Sequence, residues 1–238
     1  MKCALCLEDK ELVNSHIIPE FMYTALYDDK HRFKELNIDG NSPNRLEQKG
    51  LREKLLCSSC DNKIGVYERY VSLLIHGGIE LDFETVGDFD IVKNIDYKLL
   101  RLFQLSILWR AGVSTLPFFS TVNLGPHQER LRKLLHAGDV GVPWQYGCLM
   151  CSILYSSELQ KDVIVQPTWT RIAGVFGYRF VCGGFAWVFC VANHPTYTGI
   201  ETASLDPNGI LRILKTDLSS AQFIIDTMKK LHSQGKLQ

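Results

Sequence analysis

Two Cys-x-x-Cys pairs, Cys3/Cys6 and Cys57/Cys60, stand at the two ends of the first sixty residues of a 238-residue chain. Each spacing lets two sulfurs reach one ion at about 2.3 Å, and two pairs supply the four thiolates of a closed tetrahedral Zn²⁺ site. The N-terminal quarter is therefore expected to be a zinc-organised module, with Cys3, Cys6, Cys57 and Cys60 as its metal ligands.

Compartment and charge narrow the reading further. No apolar stretch after Met1 marks a secretory signal, and the longest nearly apolar run, residues 181–192, falls short of the roughly twenty residues that span a bilayer. A cytoplasmic location with no membrane partner is expected, and reducing conditions there favour metal ligation over disulfides. Lys plus Arg and Asp plus Glu both number 26. Net charge thus argues against a global positive field, while leaving room for a local basic patch.

The chain divides, on its patterning, into residues 1–78 and 79–238. Residues 37–50 are polar and turn-rich (Asp39-Gly40, Ser42-Pro43), so a loop or loose hairpin is expected to join the two cysteine pairs. Ile64, Tyr67, Val71, Leu74 and Ile75 recur at helical spacing up to Gly77-Gly78, which puts the second pair at a helix start. Residues 86–90 read as a short strand pair or loop. Residues 97–110 are apolar on nearly all sides, the pattern of a helix enclosed by a core. Gly125-Pro126 opens another helix, with Leu131, Leu134 and Leu135 on one face. Beyond Pro143 strands are expected at 148–155, 162–166, 169–175, 178–192 and 210–214, before a closing amphipathic helix over 218–231. The expected fold class is α+β: the zinc module, then an antiparallel sheet with helices on one face.

A cysteine pair in a turn followed by a pair entering a helix is the arrangement of a treble-clef (ββα-metal-like) zinc finger. Between the pairs stands Ser15-His16-Ile17-Ile18-Pro19, and Asp61 follows the second pair. At these residues the segment resembles the HNH, or His-Me finger, endonucleases, whose zinc-bearing members read Cys-x-x-Cys, Asp-His-Ile-x-Pro, Cys-x-x-Cys and then His or Asn. The resemblance covers about residues 1–70. It implies a hydrolase acting on nucleic-acid phosphodiester bonds, with His16 as general base and a catalytic Mg²⁺ or Mn²⁺ near the helix start. Small nucleases of this kind often look like effectors of bacterial defence systems.

Two positions depart from the family pattern: Ser15 stands where the family carries an acid, and Asp61 replaces His or Asn. Asp61 offers a hard oxygen to a divalent ion. Glu68 lies two helical turns beyond it on the same face, and Glu20 is a further carboxylate. An ion pair with Arg69 or Arg52 is the alternative for Glu68, solvated surface for Glu20, and a bracing role within the finger for His16. If the ion site is lost at Ser15, the module is a non-catalytic zinc finger binding nucleic acid or a protein partner.

Residues 30–54 hold seven Lys or Arg against four Asp or Glu. Lys30, Arg32, Lys34, Lys49, Arg52 and Lys54 are the candidate nucleic-acid contacts, with Phe33 placed to stack on a base, and a solvated loop is the alternative. Cys148 and Cys151 fall three apart in an expected strand and so point to opposite faces, which reads as core rather than a second metal site. Neither a P-loop nor Gly-x-Ser-x-Gly occurs, and residues 79–238 carry no readable role beyond a possible protein-partner surface.

Overall fold

The computed structural model describes residues 1–36, 43–194 and 198–237. Strand β1 (Leu12–His16) pairs antiparallel with β4 (Arg52–Cys57), and between them β2 (Phe33–Glu35) pairs with β3 (Arg45–Glu47). The expected hairpin between the cysteine pairs thus exists as two short strands; its 37–42 portion lies outside the described residues. Helix α1 (Ser58–Ile75) begins as β4 ends, burying Cys60, Ile64, Tyr67 and Val71 along one stripe. It stops where Gly77 adopts φ 77°.

Strands β5 (Asp82–Val86) and β6 (Phe89–Lys93) form a hairpin at the edge of the large sheet. Helix α2 (Tyr97–Val113) is capped by the Asp96 carboxylate, which accepts from Leu99 N at 2.9 Å, and every residue from Leu100 to Ala111 is buried. Helix α3 (Pro126–Ala137) starts with Pro126 in its first turn, as Gly125-Pro126 predicts, and ends on a left-handed Gly138. Strands β7 (Cys148–Tyr155), β8 (Glu158–Leu159), β9 (Val165–Ile172), β10 (Val175–Cys182) and β11 (Phe185–Cys190) follow. The short helix α4 (Thr198–Ala203), strand β12 (Leu211–Asp217) and helix α5 (Gln222–Ser233) complete the chain.

The fold is α+β, but two expectations about the large sheet need correction. Its order is β5-β6-β12-β7-β11-β10-β9, with β8 on β7, and β12 runs parallel to β7, so the eight-stranded sheet is mixed rather than antiparallel. Helices also cover both faces rather than one. Met150, Phe180 and Trp187 face α2, whereas the alternate positions Ile153, Val181 and Ala186 pack under Ala221 and Ile224 at α5.

Buried side chains on either side of residue 78 share one contiguous core, from Cys3 and Leu5 through α1 and α2 to Leu211 and Ile213. The two-residue β10–β11 turn shows how closely the parts meet. Gly183 (φ 63°) lies so close to Met22 that an added Cβ would sit 2.3 Å from its sulfur. Among the described residues no helix is long and apolar enough to cross a membrane.

Candidate metal centre and basic groove

The four expected ligands come together. The sulfurs of Cys3, Cys6, Cys57 and Cys60 all lie within 4.8 Å of one another. Bonds of about 2.3 Å to a tetrahedral zinc give sulfur–sulfur edges of about 3.8 Å, and Cys6 Sγ stands 3.9 Å from Cys57 Sγ. The first pair sits in a tight turn in which Leu7, at φ 63°, donates its N–H to the Cys3 carbonyl. The second spans the start of α1, where Cys57 N donates to Cys3 Sγ at 3.3 Å. Burial pushes the Cys6 and Cys60 thiols up. It pushes on Cys57 as well, but hydrogen bonds from the Ser59 hydroxyl and the Cys60 amide outweigh it and bring that thiol down to about 6. A thiolate held at a helix N-terminus among three neighbouring sulfurs suits a structural Zn²⁺.

His16 closes β1, and Pro19 then turns the chain into a 3₁₀ segment, Glu20–Leu26, that folds Glu20 back over it. His16 Nε2 lies 2.8 Å from Glu20 Oε2, a close approach that becomes an ion pair only when the imidazole is protonated. The other Glu20 oxygen accepts from Tyr27 Oη and lies 4.0 Å from His31 Nε2. The Tyr27 ring stacks on the His31 ring with centroids 3.8 Å apart. Burial lowers the His16 pKa; Glu20 pulls it back up, Arg52 pushes it down, and Glu68 pulls it up.

The other proposed catalytic residues fall out differently. Glu68 accepts from Arg110 Nη1 at 2.6 Å, not from Arg69 or Arg52, and the same nitrogen donates to the His16 carbonyl at 2.6 Å. Ser15, the position at which the family carries an acid, is buried with its hydroxyl unpartnered, on the strand face opposite His16. Asp61 lies in the first turn of α1. Among the described residues the four cysteines are the single set of three or more His, Cys, Asp or Glu side chains close enough to hold an ion. The donors His16, Asp61 and Glu68 are therefore not assembled around a position for Mg²⁺ or Mn²⁺.

Of the six candidate cations, Arg32, Lys49 and Arg52 line one groove of about 660 Å³, together with Leu46, Glu47, Gln48 and Gly50. Arg32 is held by Asp28, its Nε and Nη2 donating at 3.0 and 2.8 Å. Arg52 stands opposite His16 in the β1–β4 register, so the groove's rim and the imidazole adjoin. Lys54 projects from the same face of β4 as Arg52, while Lys30 and Lys34 are exposed outside the groove. Phe33 is buried against the Tyr23 and Tyr27 rings and cannot stack on a base, which corrects that expectation. Cys148 and Cys151 do point to opposite sides of the sheet.

Sequence reasoning missed Tyr27, His31 and Arg110. A signal for Arg110 existed: a guanidinium inside an otherwise apolar helix requires polar partners from a neighbouring element. Tyr27 and His31 are brought to Glu20 by loop geometry that no spacing rule encodes. Comparison of the chain with known protein families, with curated proteins and with solved structures finds no match.

Proposed function

We propose that the N-terminal module is a zinc-stabilised treble clef of HNH-like type that binds nucleic acid along the Arg32–Lys49–Arg52 groove and hydrolyses phosphodiester bonds with His16 as general base. The observation that carries this reading is the position of His16, half-buried against Glu20 and directly across the strand pair from Arg52 at the groove's rim. An imidazole whose pKa burial lowers is neutral near pH 7 and able to take a proton. Glu20, itself fixed by Tyr27, sits 2.8 Å from Nε2 and favours the proton on that nitrogen, the tautomer whose Nδ1 accepts from the attacking hydroxyl or water. Arg52 and Lys49 face the phosphate charge, and zinc, held by the four cysteines, fixes the knuckle and helix that frame the strand. A reducing, cytoplasmic setting keeps those thiols available.

The test is incubation of the purified chain with labelled single- and double-stranded DNA and RNA, with Mg²⁺, with Mn²⁺ and with EDTA. Cleavage that falls at least about a hundredfold in His16→Ala supports the reading, that being the usual scale of general-base loss. Cleavage indifferent to His16 overturns it.

A second reading has its own support. Glu68 is taken up by Arg110, and among the described residues Asp61 joins no ion-holding set. Both facts fit a zinc module that binds nucleic acid without cutting it. Salt-sensitive binding that weakens in Arg52→Gln, with no cleavage under any of the three conditions, selects this alternative.

A further inference from the structure

On the face of the large sheet away from α2 lies a cleft of about 510 Å³ that shares no lining residue with the cysteine cluster or the basic groove. Its floor is apolar: Ile153 of β7 with Ala186 and Val188 of β11. Phe223 and Asp226 of α5 form one wall, and Arg179 of β10 enters from the sheet. The volume falls within the range of small-molecule sites.

Arg179 is what distinguishes this cleft. Its guanidinium carbon lies 3.6 Å from the centre of the Phe223 ring. Nη2 reaches Thr168 Oγ1 at 3.4 Å, a long contact, and Nε is closed off from solvent with no partner. The titratable group whose charge bears on it is the Cys151 thiol rather than a carboxylate. Asp226 is engaged with Gln222, whose Nε2 donates to it at 2.6 Å. Among the described residues no carboxylate pairs with this half-buried guanidinium, which is costly, and its planar fork of donors matches the two oxygens of a carboxylate.

We propose that this cleft binds a small monocarboxylate with an apolar tail, the carboxylate on the outer, Nη end of the Arg179 guanidinium and the tail along Ile153, Ala186 and Val188. The site is independent of the nuclease reading.

Calorimetric titration of the full chain with hexanoate, hexylamine, 1-hexanol and inorganic phosphate tests it. Saturable hexanoate binding at least about tenfold tighter than that of the other three probes is expected, with about a tenfold loss in Arg179→Gln, the scale of a charge-assisted hydrogen bond. On the unmodified protein, hexanoate should shift the Arg179 Nε–H resonance, a readout that does not depend on a variant folding. No saturable hexanoate binding, equal or tighter binding of hexanol, hexylamine or phosphate, a folded Arg179→Gln variant of unchanged affinity, or an unmoved Nε–H resonance overturns the proposal.

Discussion

Arg110 Nη1 lies 2.6 Å from the main-chain oxygen of His16 and donates to it. The same nitrogen holds Glu68 of α1, and the side chain is almost wholly buried at 2% exposure. One guanidinium on α2 therefore ties together β1, α1 and α2, with Nε and Nη2 returned to Ser106 of its own helix. Replacing Arg110 by Met strands the His16 carbonyl and the Glu68 carboxylate. Breaking one side of a buried pair costs about 3–5 kcal/mol, and the partial exposure of Glu68 places this case near the lower end, at about 3 kcal/mol. Urea unfolding monitored by tryptophan fluorescence should show that loss, and Arg110→Met combined with Glu68→Leu should recover part of it.

The β10–β11 turn offers a second stability test. Gly183 and Gly184 both have positive φ, as a two-residue hairpin turn of the primed type requires, and Gly183 additionally abuts Met22. Gly183→Ala forces a side chain into both a left-handed backbone and the Met22 sulfur, and should cost about 2 kcal/mol. Pairing it with Met22→Ala relieves the contact and leaves the backbone penalty. If the single and double substitutions melt at the same temperature, Met22 does not determine the cost.

The features that proved legible in the chain are those encoded over short distances. Cys57, Cys60 and the Ile64–Tyr67–Val71 stripe place the second ligand pair at a helix start, and the apolar surround of residues 97–110 identifies the enclosed helix. Gly125-Pro126 opens α3, and β7 begins and ends at the expected residues. Pairing between distant strands was less legible. Leu211–Asp217 alternates in the same way whether it runs with or against β7, so its parallel partnership leaves no local trace. The burial of α5 on the opposite face is likewise decided by Ile153, Val181 and Ala186, whose outward alternation looks identical before a partner is known. At the candidate site the cysteines were readable from spacing. The contacts of Glu20 with His16 and Tyr27 depend on the turn at Pro19, and those of Glu68 depend on a helix that arrives some forty residues later.

Metal content follows directly from the sulfur geometry. The purified chain should carry about one zinc, measured by plasma mass spectrometry, and Cys6→Ser or Cys60→Ser should lose most of it. Because Cys3, Cys57 and Cys60 belong to the same buried core as α1 and α2, stripping the ion should lower the melting temperature of the whole chain rather than loosen a detached finger. Retention of zinc after two cysteine substitutions would contradict a shared centre.

The pH dependence of the proposed chemistry follows from His16. Burial lowers its pKa from the ordinary 6.5, and among the neighbouring charges Glu20 raises it while Arg52 lowers it. The neutral imidazole is the proton acceptor, so cleavage should rise with pH through an inflection below 6.5 and be level across neutrality. Glu20→Gln removes a raising charge and should move the inflection down; Arg52→Gln removes a lowering one and should move it up. Stability should follow the same group with a definite sign. In the unfolded chain His16 binds its proton near 6.5, whereas in the folded chain it does so only at lower pH. Stability attributable to His16 is therefore fully present above 6.5, is lost as pH falls from 6.5 towards the folded pKa, and is constant below it. Imidazole resonances followed by NMR give the folded pKa directly, and a value above 6.5 would reverse both predictions.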